Sequence, residues 1–97
     1  MKRKKIPEGT KLPVLLTPKE LDIIRNDILY DPTFNPFGIV QGKNIKIMLD
    51  LADIEDVQGY VAAEANHTEN KILQKQLDKI FQKLQHFLDH YDDQDED

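Results

Sequence analysis

Apolar positions along this chain follow two spacings. Over residues 11–17, "KLPVLLT", and again over 45–51, "IKIMLDL", they alternate with other residues or run together in a short block, the pattern of a strand. Elsewhere they recur every three or four residues, the pattern of an amphipathic helix. Leu21, Ile24 and Ile28 make the first such stripe. Leu51, Ile54, Val57, Val61 and Ala65 make the second. Leu73, Leu77, Ile80, Leu84, Phe87, Leu88 and Tyr91 make the third, with Phe81 at its flank.

The boundaries carry their own signals. "TPKE" (17–20) starts the first helix: Thr17 caps, Pro18 occupies the first helical position, and Glu20 completes a capping box. That helix ends before "DP" (31–32), because a residue preceding proline avoids the helical region. Asp50 closes the second strand and caps a helix from Leu51 to about Asn66, with Asp53 near the positive end of its dipole. A third helix spans about residues 68–92, its start capped by Asn66 with Glu69, or by Thr68 alone. At ~1.5 Å per residue this helix is longer than one layer of a small domain needs, so it lies across the others or reaches a partner.

Strand, cap and helix occur twice in register. Leu12 falls on Ile45, Val14 on Ile47, Leu16 on Leu49, Thr17 on Asp50, Glu20 on Asp53, Leu21 on Ile54 and Ile24 on Val57, with an offset of 33 residues. The pattern reads as a pseudo-symmetric pair of βα units, although any two capped strand-to-helix units share some likeness. Between them, "YDPTFNPFGIVQGKN" (30–44) is a loop whose Tyr30, Phe34, Phe37, Ile39 and Val40 are expected to pack onto the core. Its second half also reads as a hairpin turning near Gly42 and Lys43.

These elements define a small single-domain α+β fold of β-α-β-α-α order, with two or three short strands packed by a long amphipathic C-terminal helix. Residues 1–9 read as a disordered basic arm, 10–91 as the domain and 92–97 as a disordered acidic tail, because runs of like charge bury no apolar surface. The formal net charge is −5 over 97 residues, which disfavours a duplex-binding surface; only the "MKRKK" arm points the other way. Absence of cysteine excludes a disulfide framework, a thiol nucleophile and sulfur-ligated zinc. No apolar run reaches the ~18 residues of a membrane span, and no apolar segment follows the basic N-terminus to make a secretory signal. The expected location is therefore the cytoplasm.

The stretch "YVAAEANHTENK" (60–71) concentrates the groups able to do chemistry. Asp56, Tyr60, Glu64 and His67 are spaced by four, four and three, one ridge of the second helix, with Asn66 beside it. Glu64 and His67 form an E-x-x-H pair, but a di-iron bundle needs two such pairs and further glutamates. A carboxylate beside an imidazole can also act as a general base, yet the chain holds neither serine nor cysteine to serve as nucleophile. The architectural reading of the cluster, a capped corner between two helices, is the stronger one. The opposite side of the same helix carries Ala52, Gly59 and Ala63, and a mid-helix glycine costs about 1 kcal/mol against alanine. That face is expected to be covered, by the third helix or by a second subunit. His86 and His90 share one helix face one turn apart, the spacing of zinc ligands, without a marked third ligand. Lys71, Lys75, Lys79 and Lys83 repeat every fourth residue as a solvated ridge.

Three functional expectations follow. The first is a non-catalytic interaction or regulatory module, binding another protein or a second copy of itself through the third helix and the small-residue face. The second is an accessory nucleic-acid binder using the basic arm. The third is a metal-dependent or general-base enzyme using Glu64 and His67. No cofactor is expected, and the candidate binding residues are Asp56, Tyr60, Glu64, Asn66 and His67.

Overall fold

A computed structural model describes residues 3–94 of the chain. The elements run β1 (Lys4–Pro7), β2 (Leu12–Leu16), α1 (Pro18–Ile23) continuing as a π-helical segment (Ile24–Ile28), β3 (Ile39–Gln41), β4 (Asn44–Leu49), α2 (Leu51–His67), α3 (Lys71–His90) and β5 (Tyr91–Gln94). The fold is α+β, and the described helices and strands follow the expected order with two strands added at the ends of the chain.

β2, β4 and β3 form an antiparallel sheet in that spatial order. Leu12 pairs with Leu49, Val14 with Ile47 and Leu16 with Ile45. The sequence repeat sends Leu12 to Ile45, Val14 to Ile47 and Leu16 to Leu49, so it exchanges the two sides of this ladder. The two βα units are thus related by a local two-fold axis through the Val14–Ile47 pair. Both caps form as their residue types require. Thr17 Oγ1 accepts from Glu20 N at 3.1 Å while Glu20 Oε1 accepts from Thr17 N at 2.8 Å, and Asp50 Oδ1 accepts from Asp53 N at 2.8 Å. A local two-fold of this kind places both helices on one face of the sheet. Val14, Leu16, Ile47 and Leu49 line that face and are buried. Ile54, Val57 and Val61 of α2 and Leu77, Ile80 and Leu84 of α3 complete the core.

The hairpin between β3 and β4 is present. Gln41 pairs with Asn44 across a two-residue turn, and Gly42 at its first central position has φ +63°. A primed turn demands that conformation there, and glycine adopts it without a Cβ penalty. The loop before it differs from expectation. Phe34 is half-buried against the core, but Tyr30, Phe37, Ile39 and Val40 stand out in solvent at 76, 70, 58 and 77 % exposure. The reason differs by residue: Val40 shares the inner-face row of Leu16 and Ile45 but sits on the outermost strand, and Ile39 shares the outer-face row of Leu15 and Lys46.

The chain ends also differ from expectation. Residues 4–7 and 92–94, within the stretches read as a disordered arm and tail, pair in parallel as β1 and β5 together with Tyr91, assigned by periodicity to the third helix; Lys5 stands opposite Asp92 and Ile6 opposite Asp93. Ile6 is 7 % exposed and supplies the apolar anchor that the charge runs concealed. Opposite charges on neighbouring strands attract where either run alone repels itself. The remaining positions of those runs, 1–2 and 95–97, lie outside the described residues.

Lys83 departs from the solvated ridge assigned to it. Its ammonium reaches Glu20 Oε1 and, at 3.3 Å, the carbonyl of Leu15. Glu20 is 8 % exposed, so the pair ties the middle of α3 to the cap of α1 and to the edge of β2.

Candidate functional site

The helical corner forms, with a different residue in the capping role. α2 runs through His67, and Thr68 leaves the helix with its N–H donating to the carbonyl of Glu64 at 2.9 Å. Asn70 caps α3: its Oδ1 accepts from Ile72 N and Leu73 N at 3.0 and 3.1 Å. Thr68 Oγ1 accepts from Asn70 N at 3.2 Å, and Gln74 Nε2 donates to the carbonyl of Ala65 at 3.2 Å. Asn66 therefore sits inside α2 and takes no part in capping α3. The cap falls four residues after Asn66 and two after Thr68, because His67 completes the last turn of α2 and Thr68 and Glu69 reverse the chain.

The structure does not gather the five candidate residues into one site. Asp56, Tyr60, Asn66 and His67 are exposed and Glu64 is half-buried on the outer side of α2. Asp56 and Tyr60 border a cleft of about 280 Å³ with Leu29, Phe34 and Pro36. Asn66 borders another, of about 430 Å³, with Ala62, Phe81 and Gln82 between α2 and α3. Glu64 and His67 line neither of these clefts. Among the described residues, no three His, Asp or Glu side chains converge as metal ligands would. His86 and His90 are both exposed, their rings 4.2 Å apart, and His90 Nδ1–H donates to the carbonyl of His86 at 2.7 Å.

The small-residue face of α2 is not covered within the chain. Ala52, Gly59 and Ala63 are exposed, and a Cβ placed on Gly59 meets nothing within 4 Å. α3 packs instead on the opposite, apolar side of α2, and its own stripe is turned inward, with Leu77, Ile80 and Leu84 at most 1 % exposed. The other members of that stripe, Leu73, Phe87, Leu88 and Tyr91, are half-buried against the same core.

The most unusual surface lies between α1 and β4. Tyr30 and Phe37 both occupy the left-handed region, at φ 52° and 54°. For bulky residues this is a genuine outlier that costs on the order of 1 kcal/mol each. Hydrogen bonds hold the segment there. The π-helical turn ends with Leu29 N donating to the carbonyl of Ile24 at 2.8 Å and Asp31 N to that of Arg25 at 2.8 Å, and Tyr30 takes the left-handed capping position that usually carries glycine. Arg25 Nε donates to the carbonyl of Phe34 at 2.6 Å, Gly38 N to that of Asn35 at 3.2 Å and Met48 N to that of Pro36 at 3.0 Å. The strained backbone thus holds two aromatic rings outward where they gain little burial in this chain.

Directly after Phe37, β3 forms the outer edge of the sheet with Ile39 and Val40 exposed. Tyr60, 57 % exposed, stands across the cleft from Phe34 and Pro36. The sheet's two edges contrast. At β2, Pro13 removes one backbone donor and Lys83 occupies the Leu15 carbonyl, so that edge is blunted. At β3, the residues Ile39, Val40 and Gln41 offer neither charge nor proline. Tyr60 was the one member of this group expected at a site; the others were assigned to the core, since an aromatic and β-branched run looks the same inside or outside. Comparison with protein-family models, curated proteins and solved structures returns no match for this chain.

Proposed function

We propose that this protein is a non-catalytic interaction module, an adaptor or regulatory subunit acting in the cytoplasm, that meets a partner protein through the surface of Tyr30, Phe37, Ile39, Val40 and Tyr60. The carrying observation is the pair of strained aromatic residues beside an unprotected apolar edge strand. Backbone strain persists where surrounding bonds enforce it, and it clusters at contact and switch surfaces. Exposed aromatic and β-branched side chains beside an open strand edge offer apolar area that a partner can bury. Tyrosine and phenylalanine are enriched in the centres of such interfaces. The basic arm, the other candidate contact region, is partnered by the acidic strand β5 in this fold, which lowers its net attraction for phosphates.

The test uses full-length protein immobilised and exposed to extract of the cells that express it, alongside sedimentation of the protein alone. Wild type is expected to bind a protein, whether foreign or its own second copy, and Val40→Lys with Phe37→Ala is expected to lose that binding while keeping its circular dichroism. A wild-type chain that stays monomeric and retains nothing overturns the proposal.

A further inference from the structure

We infer that the partner on this surface is a second copy of the chain, docked edge to edge so that β3 pairs antiparallel with the partner's β3 about a two-fold axis at Val40. The inference rests on the interaction reading above and makes it specific.

The ladder register carries it. In an antiparallel sheet, successive residues alternate between bonding one neighbouring strand and the other. Gln41 pairs with Asn44 across the two-residue turn, and Ile39 pairs with Lys46, as the hydrogen-bonded positions of the hairpin. Val40, opposite Ile45, therefore turns its N–H and C=O away from β4 to the free edge. The same alternation on the far side of β4 sends the Leu15 carbonyl outward, and Lys83 reaches it there. One outward-facing residue at the centre of a three-residue strand is self-complementary. Val40 N–H meets the carbonyl of the partner's Val40, the reverse bond forms by symmetry, and Gln41 falls opposite the partner's Ile39.

Three further observations favour a second copy over an unrelated strand. The contact residues carry no charge, so two chains of net charge −5 meet without like charges at the seam. With aromatic side chains worth 150–250 Å² each, the three rings with Ile39 and Val40 expose on the order of 600 Å², so their full burial in both copies reaches the lower end of the range of stable interfaces, about 1,200 Å² in total. Finally, the β2 edge is blunted by Pro13 and Lys83, so β3–β3 pairing uses the open edge of each sheet and closes at a six-stranded dimer rather than growing into a filament.

The chain has no cysteine, which allows a direct test on the full-length protein. Residues in a hydrogen-bonded antiparallel pair lie with Cα atoms about 5.5 Å apart, within disulfide range. Under mild oxidation Val40→Cys is expected to convert to a covalent dimer, while Ile72→Cys, equally exposed at the first turn of α3, is not. Wild type is expected to sediment as a dimer and Val40→Lys as a monomer with unchanged circular dichroism. A wild-type dimer that survives Val40→Lys and does not cross-link at position 40 overturns the inference. So does a wild-type monomer that loses a foreign partner on Val40→Lys, an outcome that keeps the interaction reading. A monomer that binds no protein removes both.

Discussion

Replacing Lys83 by methionine isolates one interaction on which the packing of α3 depends. Methionine keeps the apolar stem and removes the ammonium. The structure then leaves the Glu20 carboxylate, at 8 % exposure, with the Thr17 N–H as its remaining donor. An unpaired, fully buried charge costs about 3–5 kcal/mol, and a surface pair contributes about 0.2–1 kcal/mol. The Lys83 side chain is 38 % exposed, so water reaches one partner and the expected loss lies between these limits, about 2 kcal/mol. For a chain of this size that is a drop in Tm of roughly 8–16 °C. Glu20→Gln keeps an acceptor for the capping box. Combined with Lys83→Met it should restore most of the loss, giving a coupling of about 1–2 kcal/mol in a double-mutant cycle measured by urea unfolding. The coupling should survive high salt, since a half-buried pair is poorly screened. A cycle below about 0.5 kcal/mol, or one abolished by salt, would refute the view that this pair joins α3 to the cap of α1.

Other outcomes follow from the same geometry. Asn70→Ala should destabilise the protein by about 1 kcal/mol through loss of the α3 cap, while Asn66→Ala stays within about 0.5 kcal/mol, both read by thermal unfolding. Ile80→Ala should cost about 2–5 kcal/mol and Ile72→Ala almost nothing, because one side chain is fully enclosed and the other is 72 % exposed. Tyr30→Gly should relieve left-handed strain, leaving the monomer as stable as before or up to about 1 kcal/mol more stable, yet weaken association measured by sedimentation. His67→Ala should lower stability by no more than about 1 kcal/mol, the scale of a helix-terminus charge contact, without changing bound metal measured by elemental analysis.

The elements legible in the sequence were those specified by neighbours along the chain. Thr17, Glu20 and Asp50 announced two helix starts because capping is a contact over three residues. The stripes of α2 and α3 announced their buried faces because helical periodicity repeats within one element. The candidate site was less legible. Glu64 and His67 are close in sequence and share a ridge, but His67 is exposed and neither lines the clefts that Asp56, Tyr60 and Asn66 border. Tyr30, Phe37, Ile39 and Val40 carry a hydrophobic signal that does not state which side of a sheet has cover left to offer. Lys83 looked like its neighbours in the repeat of lysines, and only the approach of α1 distinguishes it.

Residue order alone determined the α+β class, the two capped βα units, the hairpin turn at Gly42 and the corner between α2 and α3, because each follows from local geometry and a period of two or 3.6 residues. Tertiary structure decided the antiparallel pairing that turns the repeat into a two-fold, the parallel pairing of the chain ends around Ile6, the Glu20–Lys83 tie, and the stranding of an aromatic edge in solvent. Those are contacts between residues far apart in the chain. Their free energies depend on which surfaces remain after the helices have packed on β2 and β4, and that remainder is a property of the assembled layers.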